Sequence, residues 1–273
     1  MQGVVILALK KSSYVSAAFN LALSIKSSNP NINITLVTDG EHEKHFQTMH
    51  YSVFDWIKLM DKGHYTGSDG KFQPALAKLN IYKYSTYDET LYIDADSLCF
   101  KDLQPLFDRL KGRIFASHAI EGYTQWTDEE TYKNFFKQDW GITINTSWFY
   151  FEDNKVFITA LDFYNNNFPA DKISPVWGGT YPDELFFNAA IKKTGVDAKV
   201  DFDVMFFGNN IDVRTFTELE NDFYFYTLYG NRTTVRKIYI DWYDRLMYKI
   251  CANKGIEHRF KSYEILVGKH VNL

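Results

Sequence analysis

Apolar positions follow two rhythms along this chain. Residues 4–9 form a continuous apolar run, the pattern of a strand buried on both faces of a parallel sheet. The polar stretch Lys10-Lys11-Ser12-Ser13 follows. Val15, Ala18, Leu21, Ala22 and Ile25 then recur at helical spacing, until Asn29-Pro30-Asn31 break the pattern. Residues 32–37 read as a second strand, ending at Thr38-Asp39-Gly40. Strand, helix and strand make a βαβ unit, and such crossovers are nearly always right-handed.

The reading continues with a short polar helix over 41–49 and a strand over 53–59. A loop over 61–70 holds three glycines. Pro74 takes the first-turn position that proline favours, in a helix running to about residue 84. A fourth strand is expected over 89–93, a helix over 102–110 and a fifth strand over 113–117. Beyond residue 118 the pattern changes: 119–139 is polar and aromatic, with Tyr123, Trp126, Tyr132, Phe135 and Phe136. Further strands are expected over 142–151, 198–205 and 223–229. Helices are expected over 155–164 and 183–193, and a long amphipathic one over 232–252. The class is α/β, with no internal repeat and no linker.

Composition narrows the function. With 273 residues, 45% hydrophobic and 18% aromatic, the chain has ample material for a core and is not a disordered segment. The net charge of −4 argues against a protein whose main work is phosphate neutralisation on nucleic acid. A nucleic acid as transient substrate stays open. Two cysteines, Cys99 and Cys251, are too few for a disulfide framework. Reduced thiols and a cytoplasmic location are the simplest expectation. The N-terminus lacks a positive n-region and reads as a strand rather than a signal peptide. No apolar run approaches the ~20 residues of a membrane span, so no stable membrane insertion is expected.

The most informative stretch is Thr90-Leu91-Tyr92-Ile93-Asp94-Ala95-Asp96-Ser97. Two carboxylates stand two apart at the end of an apolar strand, where ligand sites of open α/β sheets gather. Strand alternation points Asp94 and Asp96 the same way and Ala95 the other. Two hard oxygen donors on one side suit a divalent cation that also holds phosphates. The bland alternative is a capped turn with a solvated acid beside it.

Residues 91–107, LYIDADSLCFKDLQPLF, resemble the strand, Asp-x-Asp motif and following helix of glycosyltransferase family 8. Lys78 lies where that family has a donor-reaching lysine in a Lys-Leu pair. Tyr14 matches a tyrosine that packs on uracil. Asn145, in Ile144-Asn145-Thr146-Ser147, resembles the family's Phe-Asn-Ser-Gly strand. Asp183-Glu184-Leu185-Phe186-Phe187-Asn188 resembles its Asp-Gln-x-x-x-Asn segment. The resemblance implies a GT-A fold, with a Rossmann-like, mixed but mostly parallel sheet flanked by helices and a C-terminal helical extension. It implies one domain over 1–273, with a nucleotide half at 1–118, an acceptor and catalytic half at 119–230 and the extension at 231–273. It implies retaining transfer from a UDP-sugar, with Mn²⁺ or Mg²⁺ held by Asp94 and Asp96. Ala8, Leu9, Lys10, Tyr14, Lys78, Asp94, Ala95, Asp96, Asn145 and Asp183 would bind the nucleotide-sugar. The acceptor would be a glycan or glycolipid, with nucleic acid or protein not excluded.

Several residues depart from the family pattern. Lys10-Lys11 stand where it has Thr-Asn, and either serve the diphosphate or form a solvated turn. Thr227 stands where it has a metal-binding histidine, and no Lys-Pro-Trp follows. Arg232, Arg236 and Lys237 are candidates to replace the missing lysine, and His270 or His258 the missing histidine. Glu184 replaces a glutamine. It is either a nucleophile or oxocarbenium stabiliser, catalytic beside Asp183, or an ordinary first-turn acid. The aromatic stretch 123–140 and the loop 177–181 are acceptor-side candidates, or a satellite core. His118 and Asp39 are candidates to face the site, whereas His42, His45 and His50 read as a solvated face.

Two rival functions use the same motifs. A haloacid-dehalogenase-like phosphohydrolase also has an Asp-x-Asp, but on its first strand. A catalytically weak sugar-nucleotide-binding protein would keep the fold and lose the turnover.

Overall fold

β1 (Gln2–Ala8) and β2 (Asn33–Thr38) pair in parallel from Gly3–Asn33 to Ala8–Thr38, with α1 (Ser12–Ser28) crossing between them. The structure, a computed structural model, describes residues 1–40, 53–122, 126–173, 180–207 and 221–227, with isolated positions 245, 247, 248 and 252. The helices expected over 41–49 and 232–252 lie outside these, apart from the isolated positions. So do His42, His45, His50, Arg232, Arg236, Lys237, His258 and His270.

The chain forms two compact units. One comprises Gln2–Leu59, Tyr92–Arg109 and Phe202–Leu273. In it β3 (Trp56–Leu59) continues the parallel pairing on β2. α1 is buried at every residue from Val15 to Ile25, because it packs on β1 and β2 and also on a small second sheet. Small residues on its remaining faces, Ser16, Ala17 and Ser24, allow that close approach. The second sheet has the order β5-β9-β8, built from β5 (Ser97–Cys99), β9 (Phe225–Thr227) and β8 (Met205–Phe207). β5 runs antiparallel and β8 parallel to β9.

Asn29 does more than break a helix. Its side-chain nitrogen donates to the Ile25 carbonyl at 3.1 Å and the Lys101 carbonyl at 3.0 Å, and its oxygen accepts from the Leu103 N–H at 2.6 Å. It is buried, so these backbone groups have no easy substitute in water. Asn29→Ala should lower unfolding stability by about 3 kcal/mol, read as a lower urea midpoint at unchanged slope.

The other unit comprises Met1, Met60–Leu91 and Leu110–Asp201. β6 (Phe115–Glu121) and β7 (Ile142–Phe151) pair antiparallel, with a register shift between Ala116 and His118. α2 (Pro74–Leu79), α5 (Lys155–Asn165) and α6 (Asp183–Thr194) pack on one another, and α6 packs on β7. Phe115, Phe149, Phe157 and Phe187 meet with centroids 5.4–5.8 Å apart, the stacked and edge-on spacing that aromatic rings favour. A second group holds α4 (Glu129–Phe136), where Tyr132 stacks on Trp140 at 4.3 Å and Phe136 meets Phe168 and Phe186. Much of the aromatic content is core.

β4 (Glu89–Asp94) begins in the second unit and ends in the first. The hydrogen-bonded strand order of the main sheet is β3-β2-β1-β4-β7-β6. The sheet is mostly parallel and flanked by helices. Thr90, Leu91, Tyr92 and Ile93 are buried, as the apolar run indicated.

Four expectations need correction. The strand expected over 113–117 starts at Phe115 and runs on to Glu121, into the stretch read as polar and aromatic. The helix from Pro74 ends at Leu79, where the Asn80 N–H closes it on Leu76 and Ala77, and a 3-10 turn over Ile81–Tyr84 follows. No strand spans 198–205; only Lys199 bridges to Ser117 before a bend, and β8 begins at Met205. The first residues of the strand expected over 53–59 lie outside β3, which starts at Trp56.

Candidate functional site

The first unit gathers its candidates at strand ends. β1 runs out at Ala8, and Leu9 leads to Lys10, whose φ of 68° is left-handed. A non-glycine residue adopts this conformation only where its surroundings hold it. Here the buried Asp39, just past β2, accepts from the Lys10 N–H at 3.0 Å, and the Lys10 ammonium lies 3.7 Å from the same oxygen. Lys10 is thereby an ion-paired turn residue, while Lys11 is exposed. Tyr14 stands in the first turn of α1, partly exposed.

β4 ends at Asp94, so Ala95 and Asp96 form a turn rather than a continuing strand. The alternation survives in burial: Ala95 is buried and both aspartates keep open surface. Asp94 accepts from the Tyr92 hydroxyl at 2.7 Å. Immediately after the turn, Ser97 pairs with Thr227 across β5 and β9. Thr227, at the position where the resemblance has a metal-binding histidine, is therefore opposite the residue that follows Asp96, and it is fully buried. Among the described residues no group of three or more His, Cys, Asp or Glu is placed to hold a metal ion. Asp94 and Asp96 fit a hard cation as two carboxylate donors, with the remaining positions left for ligand oxygens.

Sequence reasoning missed three hydroxyls of this unit. Ser13 at the start of α1, Thr38 at the end of β2 and Ser97 beside Asp96 are buried, and among the described residues none of these oxygens has a hydrogen-bond partner. Buried polar groups are normally satisfied. No sequence signal distinguishes such orphans from ordinary buried serines and threonines.

The second unit assembles Lys78, Asp183, Glu184, Thr146 and Trp126. Asp183 and Glu184 open α6, where the helix dipole favours negative charge. Lys78, from the last turn of α2, lies 3.4 Å from the Asp183 carboxylate and donates to the Thr146 carbonyl at 3.1 Å. Glu184 accepts from the Trp126 indole N–H at 2.5 Å and from the backbone of Thr146. The Thr146 peptide is thus gripped on both sides. Burial, then the Asp183 charge, push the Glu184 carboxyl up to about 7, against the pull of Trp126, Lys78 and Thr146. It is a first-turn acid of α6 that is engaged by named partners, with part of its surface open.

Asn145 lies next to this cluster in β7, its side-chain oxygen accepting from the Ser147 N–H at 2.8 Å. The β6–β7 register sets His118 directly opposite Asn145, so both side chains leave the same face of the sheet. Asn188 accepts from the Ile144 N–H at 2.9 Å and ties α6 to β7. Of the aromatic acceptor candidates, Tyr132 and Phe136 are core, and Trp126 is buried on Glu184. Residues 123–125 and 174–179 are outside the described set.

This fold is the GT-A fold of glycosyltransferases. Similar solved structures include the galactosyltransferase LgtC in complex with donor and acceptor sugar analogs, at 13% identity and a TM-score of 0.54, covering 89% of this chain and 95% of that one. The bifunctional WbbM, in apo form, matches at 14% identity and a TM-score of 0.60 over 98% of this chain. GlyE of Streptococcus pneumoniae TIGR4 matches at 14% identity and 0.54 over 96% of it. The chain spans 51% of the WbbM chain and 66% of the GlyE chain. No protein-family model matches the sequence, and neither does any curated protein. Among the described residues no helix is long and apolar enough to cross a membrane.

Proposed function

We propose that the protein is a metal-dependent glycosyltransferase of the family 8 type, moving a sugar from a UDP-sugar to an acceptor hydroxyl with retained configuration. The observation that carries this reading is the Asp94-Ala95-Asp96 turn, two partly exposed aspartates at the end of β4 in a GT-A fold. Asp94 and Asp96 hold Mn²⁺ or Mg²⁺, which as a Lewis acid would stabilise charge on the departing diphosphate. Ala8, Leu9, Ala95 and Tyr14 receive the nucleoside, with the Tyr14 ring against the base. Lys10 and Lys78 supply positive potential, each already shared with an aspartate. Asp183 and Asn145 hold sugar hydroxyls. The acceptor is a glycan or glycolipid, and the reaction is cytoplasmic.

Glu184 faces the anomeric carbon. In its ionised form one oxygen attacks that carbon as the bond to UDP breaks. The acceptor hydroxyl then displaces the carboxylate, its proton passing to the diphosphate oxygen released in the first step, and two inversions give retention. A carboxyl titrating near 7 implies transfer that rises with pH through that value.

The test is melting temperature with UDP and a panel of UDP-sugars, with and without Mn²⁺. A ligand that binds only the folded state raises it, by RT ln(1 + [L]/Kd) in free energy. The wild type should show a Mn²⁺-dependent rise with UDP that Asp96→Ala loses, and the best sugar of the panel names the donor. A response to other nucleotides alone would overturn the UDP assignment. No nucleotide response, with phosphatase activity in Mg²⁺, would replace the transferase by a phosphohydrolase. Binding without transfer or hydrolysis would leave a sugar-nucleotide-binding protein.

A further inference from the structure

The Glu184 carboxylate accepts from two donors, the Trp126 indole and the Thr146 backbone. Trp126 Nε1 lies 2.5 Å from Oε2 of Glu184. The indole can only donate, so it offers no competing lone pair and cannot accept a proton from the acid. Trp126 is buried, packed in the segment just before α4, whose N-terminus Asp128 caps through the Thr131 N–H at 2.8 Å. The donor is therefore held rather than free to rotate away. We propose that Trp126 is a positioning residue for Glu184, holding Oε2 and so fixing the rotation of the carboxylate that the bound sugar meets.

The remaining groups around Glu184 agree. Asp183 on the same helix repels its charge. Lys78 of α2 and the Thr146 backbone of β7 attract it. Against burial and Asp183, the indole is one of three partners favouring the ionised form. The Trp126–Glu184 pairing belongs to this chain's structure alone; the positioning role rests on the glycosyltransferase reading above.

The test follows the Trp126 indole N–H in ¹⁵N-labelled protein by NMR. Its resonance is identified by its loss in Trp126→Phe, or, should that variant not fold, as the indole signal whose pH response disappears in Glu184→Gln. In the wild type it should titrate with a midpoint near the value of about 7 held by Glu184, and in Glu184→Gln it should stay constant with pH. With the UDP-sugar chosen by the melting panel, Trp126→Phe should move the acid limb of the transfer profile up by about one pH unit. An indole signal that does not respond to pH, or responds equally in Glu184→Gln, overturns the pairing. An unmoved acid limb overturns the positioning role. Because the resonance needs no substrate, a failed nucleotide panel leaves the pairing itself testable.

Discussion

Glu184→Gln should give a more stable protein and a far slower enzyme. The stability gain follows from linkage. An acid whose carboxyl is pushed from 4.5 in the unfolded chain to about 7 in the fold binds more protons folded than unfolded between those values. Stability therefore falls as pH rises from 4.5 to 7, and above 7 the whole penalty is present. It is about 3 kcal/mol when the burial of the carboxyl is taken at face value. Glutamine carries no charge to bury, and its amide oxygen can still accept from Trp126. The variant should melt above the wild type at pH 8 and converge on it near pH 5. The rate loss follows from chemistry. An amide is a poor nucleophile and faces positive charge weakly, so kcat should fall by about 10²–10⁴ while the UDP-induced melting shift stays near wild type. Full turnover in this variant would end the nucleophile assignment and leave the transferase standing.

Lys78→Met should be destabilised by about 3–5 kcal/mol, the usual result of removing one partner from a buried ion pair. Lys78 and Asp183 are 13% and 10% exposed at the side chain, so water cannot replace the ammonium cheaply. The Thr146 carbonyl loses its donor as well. Because Lys78 also holds the Glu184 carboxyl down, its removal raises that group further. The deficit should be largest above pH 7 and shrink toward pH 5, as protonation of Glu184 removes one uncompensated negative charge. A loss independent of pH, followed by thermal unfolding across that range, would show that Lys78 does not act on Glu184.

The parts of this protein that were legible in its sequence are those with a local signature. β1, α1, β2 and β4 announce themselves by apolar runs and spacing, and β7 and α6 end within a residue of their expected bounds. The Asp94–Asp96 turn was legible because both residues are two apart on one strand end. The Glu184 environment was only half legible. Its acidic place at the start of α6 can be read, but Trp126 lies 58 residues earlier, and nothing local links an indole to a distant carboxylate. The same holds for Lys10, whose ion pair with Asp39 is made by the fold. The strand expected over 198–205 failed because apolar content alone does not supply a neighbour to pair with; Lys199 found one in Ser117, and the next residues did not. Asn29 read as a stop signal because its long-range role depends on the segment around Lys101 and Leu103 arriving beside it.

The two units are woven from alternating segments of the chain, 2–59, 92–109 and 202–273 against 60–91 and 110–201. No single break in the backbone releases both intact. A split anywhere between residues 60 and 200 leaves each unit lacking segments that come from the other side of the break. During synthesis the second unit is complete at Asp201, whereas the first waits for the β8 and β9 segments that follow it. Contacts of such large sequence separation carry loop-closure entropy before they return any stability, which slows folding. Fragment complementation, with two co-expressed pieces finding each other, is the route by which a divided form of this protein would regain its fold.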